Sequence, residues 1–346
     1  MKSFLTRLEN KHVKRRNFKL VKNHWSAKVT PFVGVGTTKR ILLQFRVSLT
    51  KKNLPFQALR RGIFYMRPKQ LPNVKVVAKI DDKVIADDLT TDNGGYCLTQ
   101  VDVDLAPGWH EVQYFLQEGQ QIWHKGKSQD LPILACTATA KVQIIDENSK
   151  TAVVSDVDDT IVVSHAPQPV IALQNMLFKS PHKRKMVRQM SNFYNFIQER
   201  IPGVFFIYLS AGPWNQFDFI KRFIITNNFP FGALILQDIG PDDQKVFEST
   251  KTHKYNNLDK IIKLFPDVKL LLIGDDGQHD VEIYKNFALE HPDSVQAIFI
   301  RQLSATEQIV TSGLPFATSS GPNTSVVPII HGQDGEELIY LSQKVL

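Results

Sequence analysis

Three carboxylates, Asp156, Asp158 and Asp159, fall within the stretch TAVVSDVDDTIVV (151–163), with Val and Ile on both sides. Burying charge in this way is costly unless something compensates for it. Two of the acids have a plausible use. An Asp at a strand end can attack a phosphoryl group and carry it as an aspartyl-phosphate. A second Asp two residues on, over the next backbone turn, can reach the leaving oxygen as general acid and then activate water as base. Clustered acids demand a cation, and Mg2+ suits an all-oxygen site. Asp275, in GDDGQHD, would complete the ligand set from another strand.

Phosphoryl transfer further needs positioning and anion stabilisation. Ser210, with the backbone N–H groups of Ala211 and Gly212 after it, can hydrogen-bond phosphoryl oxygens. A lysine would offset both phosphate and carboxylates. Lys254, in KTHKYNN, precedes Asp275 by 21 residues, at the head of a helical pattern; Lys251 is its competitor. A DxDxT is weak alone. The ordered combination is stronger: DxDxT after a strand, Ser after a strand, Lys opening a helix, then Asp after a strand.

These groups need a frame to hold them. Five short apolar runs follow residue 150: AVVSD (152–156), GVFFIYLS (203–210), GALILQD (232–238), KLLLIGD (269–275) and QAIFIR (296–301). Helical patterns lie between them. PWNQFDFIKRFIITNN opens on Pro213 and repeats Phe217, Ile220, Phe223 and Ile224 along one face. The alternation predicts an α/β fold, a doubly wound parallel sheet. Three of its runs end on Asp156, Ser210 and Asp275, and ligands of such sheets bind outside the carboxyl ends of the strands.

From about 28 to 149 the texture differs. RILLQFRVSL, NVKVVAKI, TQVDVDL, WHEVQYFLQ and ATAKVQII alternate with period two between tight turns, which predicts a β-sandwich-like accessory domain. No catalytic constellation occurs there. Cys97 and Cys136 form neither a CxxC nor a zinc pattern, so a reducing, cytoplasmic setting is the expectation. No segment approaches the ~18 uninterrupted apolar residues of a membrane span, and the first residues have no signal-peptide core. Of the net charge of +8, residues 1–27 supply +7, from eight Lys/Arg against Glu9. Such a basic arm could meet anionic lipid or nucleic acid, or be a solvated terminus.

DVDDT, YLSAG, HK and GDDGQHD together resemble the four motifs of the haloacid dehalogenase-like (HAD) phosphatases. SDVDDTI, LSAGPWN, THKYNNLDKIIKLFPDVKLLLIGDDGQHDVEIY and AIFIR are similar to the catalytic domain of the actin-patch type of Mg2+-dependent phosphatidate phosphatases, over about 150–302. PFVGVGT, FRV and TTDNGGY resemble the module that precedes this domain in bacterial members. One departure is the second motif, where Ser210-Ala211-Gly212 stands in place of a Ser-rich turn. The resemblance implies Asp156 as nucleophile, Asp158 as general acid/base, Thr160 as a steadying loop residue, and Ser210 and Lys254 as phosphate holders. It implies Asp156, the Asp158 carbonyl and Asp275 as Mg2+ ligands, supported by Asp280 or Asp276. Asp159 is expected to shape the loop.

The expected activity is hydrolysis of phosphatidate to diacylglycerol and phosphate. The alternatives are another phospholipid, a phosphoprotein, or an inactive membrane-binding adaptor. The intervals 161–203 and 211–250 are too short for a full cap, and an open site suits a phosphate on a lipid in a bilayer. Leu177 and Phe178 beside Lys179, Lys183, Arg184, Lys185 and Arg188 read either as an interfacial anchor or as core helix and basic turn. A peripheral position at membranes follows, with the basic arm on an anionic surface and no nucleic acid as partner; export to another cell stays open. Residues 311–346 are expected to pack back on the catalytic domain (150–310).

Overall fold

The computed structural model describes residues 2–51, 69–134, 138–163, 185–237, 250–277, 279–304, 307–308 and 326–346. The chain divides into two compact units, one essentially residues 1–145 and one from 146 onward.

In the first unit, α1 (Lys2–Lys22) precedes ten strands. They are β1 (Ser26–Pro31), β2 (Gly34–Gly36), β3 (Arg40–Thr50), β4 (Lys75–Ile80), β5 (Lys83–Thr90), β6 (Tyr96–Asp102), β7 (Gly108–Leu116), β8 (Gln121–His124), β9 (Lys127–Asp130) and β10 (Ala138–Ile144). β1, β3 and β6 pair antiparallel, and β10, β7, β4 and β5 form a second antiparallel run. β2 joins the two runs, antiparallel to β3 and parallel to β10. The runs pack face to face, since Phe45 of β3 and Tyr114 of β7 meet with ring centroids 5.3 Å apart although their strands are not hydrogen-bonded neighbours. Ile41, Leu43, Phe45, Val47 and Leu49, alternating along β3, share a core with Val76, Ala78, Ile80, Val112 and Val142. The intervening Leu42, Gln44 and Arg46 are buried as well, so β3 is covered on both faces.

The basic N-terminal stretch is a helix. Val13, Asn17 and Val21, at i, i+4 and i+8, are buried on one side, and Asn17 Nδ2 donates to the Gln70 carbonyl at 2.8 Å. Lys11, Lys14, Arg15, Lys19 and Lys22 are exposed. Cys97 is buried; Cys136 lies outside the described residues.

The second unit is a six-stranded, wholly parallel sheet of β11 (Thr151–Ser155), β12 (Phe205–Pro213), β13 (Ala233–Gln237), β14 (Lys269–Asp275), β15 (Val295–Arg301) and β16 (Ile329–Gly332). Their order is β13-β12-β11-β14-β15-β16. The apolar runs of β11 and β13 are buried at every position, as befits strands covered on both faces. Between the strands run α2 (Met190–Arg200), α3 (Phe217–Thr226), α4 (Thr250–Leu264) and α5 (Asp280–Glu290), and α6 (Gly335–Ser342) closes the chain. Among the described residues no helix is long and apolar enough to cross a membrane.

The doubly wound parallel sheet matches the sequence reading, with two differences. A sixth strand, β16, comes from the tail and pairs with β15, while α6 packs on α2. The other concerns KMVRQMSNFYNFIQER (185–200), whose apolar spacing predicts a helix throughout: Met186 instead bridges Val162 in extended conformation, and α2 begins at Met190. A six-residue ribbon back to the first loop competes there with one more helical turn. The expected helix near VIALQNML, Leu177, Phe178 and the Lys179–Arg184 collar lie outside the described residues, as does much of both intervals on which the absence of a cap was argued.

Candidate active site

In the observed strand order β11 stands between β12 and β14, and the chain winds outward from it in both directions. The crevice at such a reversal is where open parallel sheets take their ligands. Asp156 follows β11 directly, Ser210 lies in β12 where the ladder with β13 breaks register, and Asp275 ends β14. Lys254 comes from the second turn of α4 and Asp280 from the first turn of α5.

Asp156, Asp275, Asp280 and Lys254 are all buried, each at most 2% exposed. Lys254 Nζ lies 2.6 Å from Asp156 Oδ1 and also contacts Asp280 Oδ1. Thr160 Oγ1 donates to Asp156 Oδ2 at 3.2 Å. The other Asp280 oxygen accepts from the Asp275 amide at 3.4 Å, and Asp275 Oδ1 accepts from the Gly277 amide at 2.6 Å. Asp275 Oδ2 is buried and has no hydrogen-bond partner. Carboxylate oxygens of Asp156, Asp275 and Asp280 all come within 4.8 Å of one another.

Burial raises the Asp156 carboxyl above its ordinary range, with Lys254 opposing. It raises Asp275 well above that range, helped by the neighbouring Asp280 and Asp156 charges. Asp280 is pushed up to about 7 by burial, against the pull of Lys254. Burial alone would lower the Lys254 ammonium, but Asp156 and Asp280 outweigh it and hold it above the usual lysine range. One lysine thus faces three buried acids. A divalent cation is the group that such an oxygen set, with an orphaned Asp275 oxygen, would accept.

On the opposite side, Ser210 Oγ donates to Asp158 Oδ2 at 3.3 Å and accepts from the Gly212 amide at 2.9 Å. Asp158 is part-exposed, in contrast to Asp156. Lys251 pairs with Glu282 at 2.6 Å on the exposed side of α4, whereas Lys254 faces the acids. Asp276 is engaged elsewhere, its Oδ1 accepting from the Leu303 amide at 2.8 Å. Asp159 sits in the loop at φ 56°, its amide bonded to the Val162 carbonyl at 2.8 Å.

Three polar residues here were not singled out from sequence. His253 is buried beside Lys254; Asn257 Nδ2 meets its Nδ1 at 3.3 Å. Burial, with the Lys254 charge adding, lowers its pKa to about 4 and keeps it neutral. Gln216, on the 3-10 turn after β12, is buried against Gly212. Arg301, at the end of β15, donates through Nη1 to the Asp159 carbonyl at 2.8 Å. A buried polar residue at the carboxyl edge of the sheet is the signal that would have found all three.

The acids also need room. A Cβ at Gly274 would lie 2.6 Å from Asp280 Oδ2 and 2.8 Å from Tyr284 Cε2. The Gly274→Ala protein is therefore expected to lose about 1–3 kcal/mol in urea unfolding through overpacking. An unchanged midpoint would mean that Asp280 is not seated against β14.

An Asp after the first strand, a second Asp two residues on, a serine, a lysine and a further strand-end Asp, on a sheet of this winding, are the arrangement expected from the resemblance to haloacid dehalogenase-like proteins. Residues 151–302 match the family described as "Phosphatidate phosphatase APP1, catalytic domain". This region is accordingly similar to the catalytic domain of HAD-like phosphatidate phosphatases. Among curated proteins the chain is 29% identical over 160 residues to Phosphatidate phosphatase APP1 of Saccharomyces cerevisiae, covering 46% of this chain and 27% of the yeast protein. An uncharacterised protein of Schizosaccharomyces pombe is 24% identical over 165 residues, 47% of this chain and 27% of that protein. The chain thus spans about a quarter of the length of these curated relatives. Among solved structures, the HAD domain of effector protein Lem4 from Legionella pneumophila aligns with a TM-score of 0.30 and 21% identity, over 45% of this chain and 88% of that one.

Proposed function

We propose that the second unit is an Mg2+-dependent phosphatidate phosphatase that works through an aspartyl-phosphate on Asp156. The observation that carries this is the buried cluster of Asp156, Asp275, Asp280 and Lys254, within a stretch matching that catalytic family. Asp156 and Asp275 would hold the ion, with the Asp158 carbonyl contributing as the family pattern implies and Asp280 supporting. Bound there, Mg2+ would neutralise the acids and draw charge from the phosphoryl oxygens.

The residues of the chain supply the rest. Lys254 opposes the burial that raises the Asp156 carboxyl and Thr160 fixes its second oxygen, so that a carboxylate oxygen is presented for attack. Asp158 gives its proton to the departing diacylglycerol oxygen, then takes one from the water that attacks the acyl phosphate. Ser210 Oγ and the Ala211 and Gly212 amides, once turned from their present partners, would bind the phosphoryl oxygens. The substrate is a phospholipid at a bilayer surface. The exposed cations of α1 suit an anionic surface, which makes the protein peripheral at membranes; the β-sandwich-like unit is its accessory domain.

The test is phosphate release from phosphatidate in mixed micelles, with and without Mg2+. Release is expected only with the ion. Release from water-soluble esters but none from phosphatidate would reject the lipid substrate. Because burial holds Asp275 and Asp280 partly protonated at low pH, Mg2+ has to displace protons there. Its stabilisation in thermal unfolding is therefore expected to be larger at pH 8 than at pH 5.5. Equal shifts at both pH values would place the ion elsewhere.

A further inference from the structure

Asp158 is carried by the loop that follows β11, where Ser210 Oγ donates to its carboxylate at 3.3 Å, and the path of that loop sets where its side chain starts. That backbone is unusual at the next residue. Asp159 has φ 56°, the left-handed region that L side chains rarely adopt. Conformations of this kind persist only where the surroundings over-determine them.

Two contacts do so here. The Asp159 amide donates to the Val162 carbonyl at 2.8 Å, which closes the loop on itself. Its carbonyl accepts from Arg301 Nη1 at 2.8 Å, which ties the loop to the end of β15. Arg301 is 5% exposed, and its Nη2 lies 2.6 Å from Glu307 Oε1. The other Glu307 oxygen accepts from the Ser304 amide and hydroxyl, each at 2.9 Å. The Arg301 carbonyl in turn accepts from the Asp276 amide at 3.1 Å. A planar, permanently charged fork fixed by a carboxylate makes a strong, directional hydrogen bond. A buried guanidinium is a costly way to hold a loop carbonyl, which argues for a geometric demand at that point.

We propose that Arg301, held by Glu307, is a positioning residue that orients the Asp158 carboxyl for proton transfer to the leaving oxygen. The role rests on the phosphatase reading above. In the step concerned, an Asp156 oxygen bonds to phosphorus as the ester P–O bond breaks. The electron pair of that bond goes to the ester oxygen, and the Asp158 proton goes with it to give the alcohol. Asp158, now a carboxylate, takes a proton from the water that next attacks phosphorus. An alkoxide leaving group needs this proton. A 4-nitrophenolate, stable as an anion, hardly does.

The experiment compares kcat and KM of the full chain, with Mg2+, on phosphatidate and on 4-nitrophenyl phosphate. For Arg301→Met, kcat on phosphatidate is expected to fall roughly tenfold to a hundredfold with KM within about twofold, as misplacement of a catalytic group does. On 4-nitrophenyl phosphate kcat/KM, which reports only the steps up to loss of the leaving group, is expected to fall less than about threefold, since little general-acid assistance is lost there; kcat falls as well, because Asp158 also serves as base for the attacking water. Arg301→Lys recovers part of the difference, and Glu307→Gln shows a smaller loss with the same preference between esters. If Arg301→Met does not fold, the comparison is read from the latter two variants. Equal proportional losses of kcat/KM on both esters would overturn the positioning role and leave Arg301 a structural brace. Wild-type protein that releases phosphate from neither ester overturns the phosphatase reading, and this role with it.

Discussion

The Asp156→Asn protein is expected to fold and to release phosphate from phosphatidate at a rate lower by a factor on the order of 10^4 or more, the scale seen when a covalent nucleophile is removed. The side chain keeps its shape: its amide oxygen can still accept from Lys254, while its Nδ2 can donate to the Thr160 hydroxyl oxygen. What disappears is the carboxylate oxygen that forms the bond to phosphorus. Lys254 retains Asp280 as its counter-charge, so no buried cation is stranded. The Mg2+-dependent gain in melting temperature should also shrink, because one of the three converging acids is gone. Phosphate release comparable with wild type, under matched Mg2+ and micelle conditions, would remove Asp156 from the mechanism.

Lys254→Met should have the largest effect on stability, and the effect should depend on pH. Lys254 is about 1% exposed and faces Asp156 and Asp280 at once. Removing one partner of a buried ion pair typically costs about 3–5 kcal/mol, since the remaining charge is left uncompensated. The sign with pH follows from the carboxylates. Burial already raises both acids above their unfolded value of 3.8, with Asp280 near 7, and loss of the lysine removes the charge that opposes this. A carboxyl whose folded pKa is raised binds its proton more tightly in the native state, so its contribution is present at low pH and lost as pH rises through the folded value. Without Mg2+, the variant should therefore lie close to wild type in urea unfolding at pH 4.5 and fall well below it at pH 8. A pH-independent deficit would mean that the methionine is simply a poor fit in the space left by the lysine.

Much of the catalytic unit was legible because each parallel strand is buried on both faces and reads as an unbroken apolar run. Where such a run ends on Asp or Ser, the fold itself delivers that group to the carboxyl edge. Asp156, Ser210 and Asp275 were therefore placed by pattern alone, while the spacing to β14 left Lys254 and Lys251 open and the family resemblance chose Lys254. What stayed hidden has physical reasons. β16 is four residues long and has no length with which to announce itself; its pairing with β15 is a tertiary fact. Arg301 looked like the first polar residue after a strand, and only the return of Glu307 makes it a buried group. At Lys185–Val187 the helical spacing was real, but the bridge from Met186 to Val162 prevailed over it. The charge of the first 27 residues drew attention away from Val13, Asn17 and Val21, whose spacing already marks one packed helix side.

The family-matching region ends at residue 302, immediately after β15, yet β15 is not an edge strand. Ile298, Phe299, Ile300 and Arg301 pair along β16, and Gly335 of the following helix comes so close to Gln189 that its amide bonds the Arg188 carbonyl at 3.0 Å. A chain cut at the end of the matching region would expose an unpaired ladder lined by Ala297, Ile298, Phe299 and Ile300, all 0% exposed in the intact fold. Bare apolar edges of this kind recruit strands from other molecules. Proteolytic loss of the last forty or so residues would thus favour self-association, and would also remove Glu307, the carboxylate that fixes Arg301.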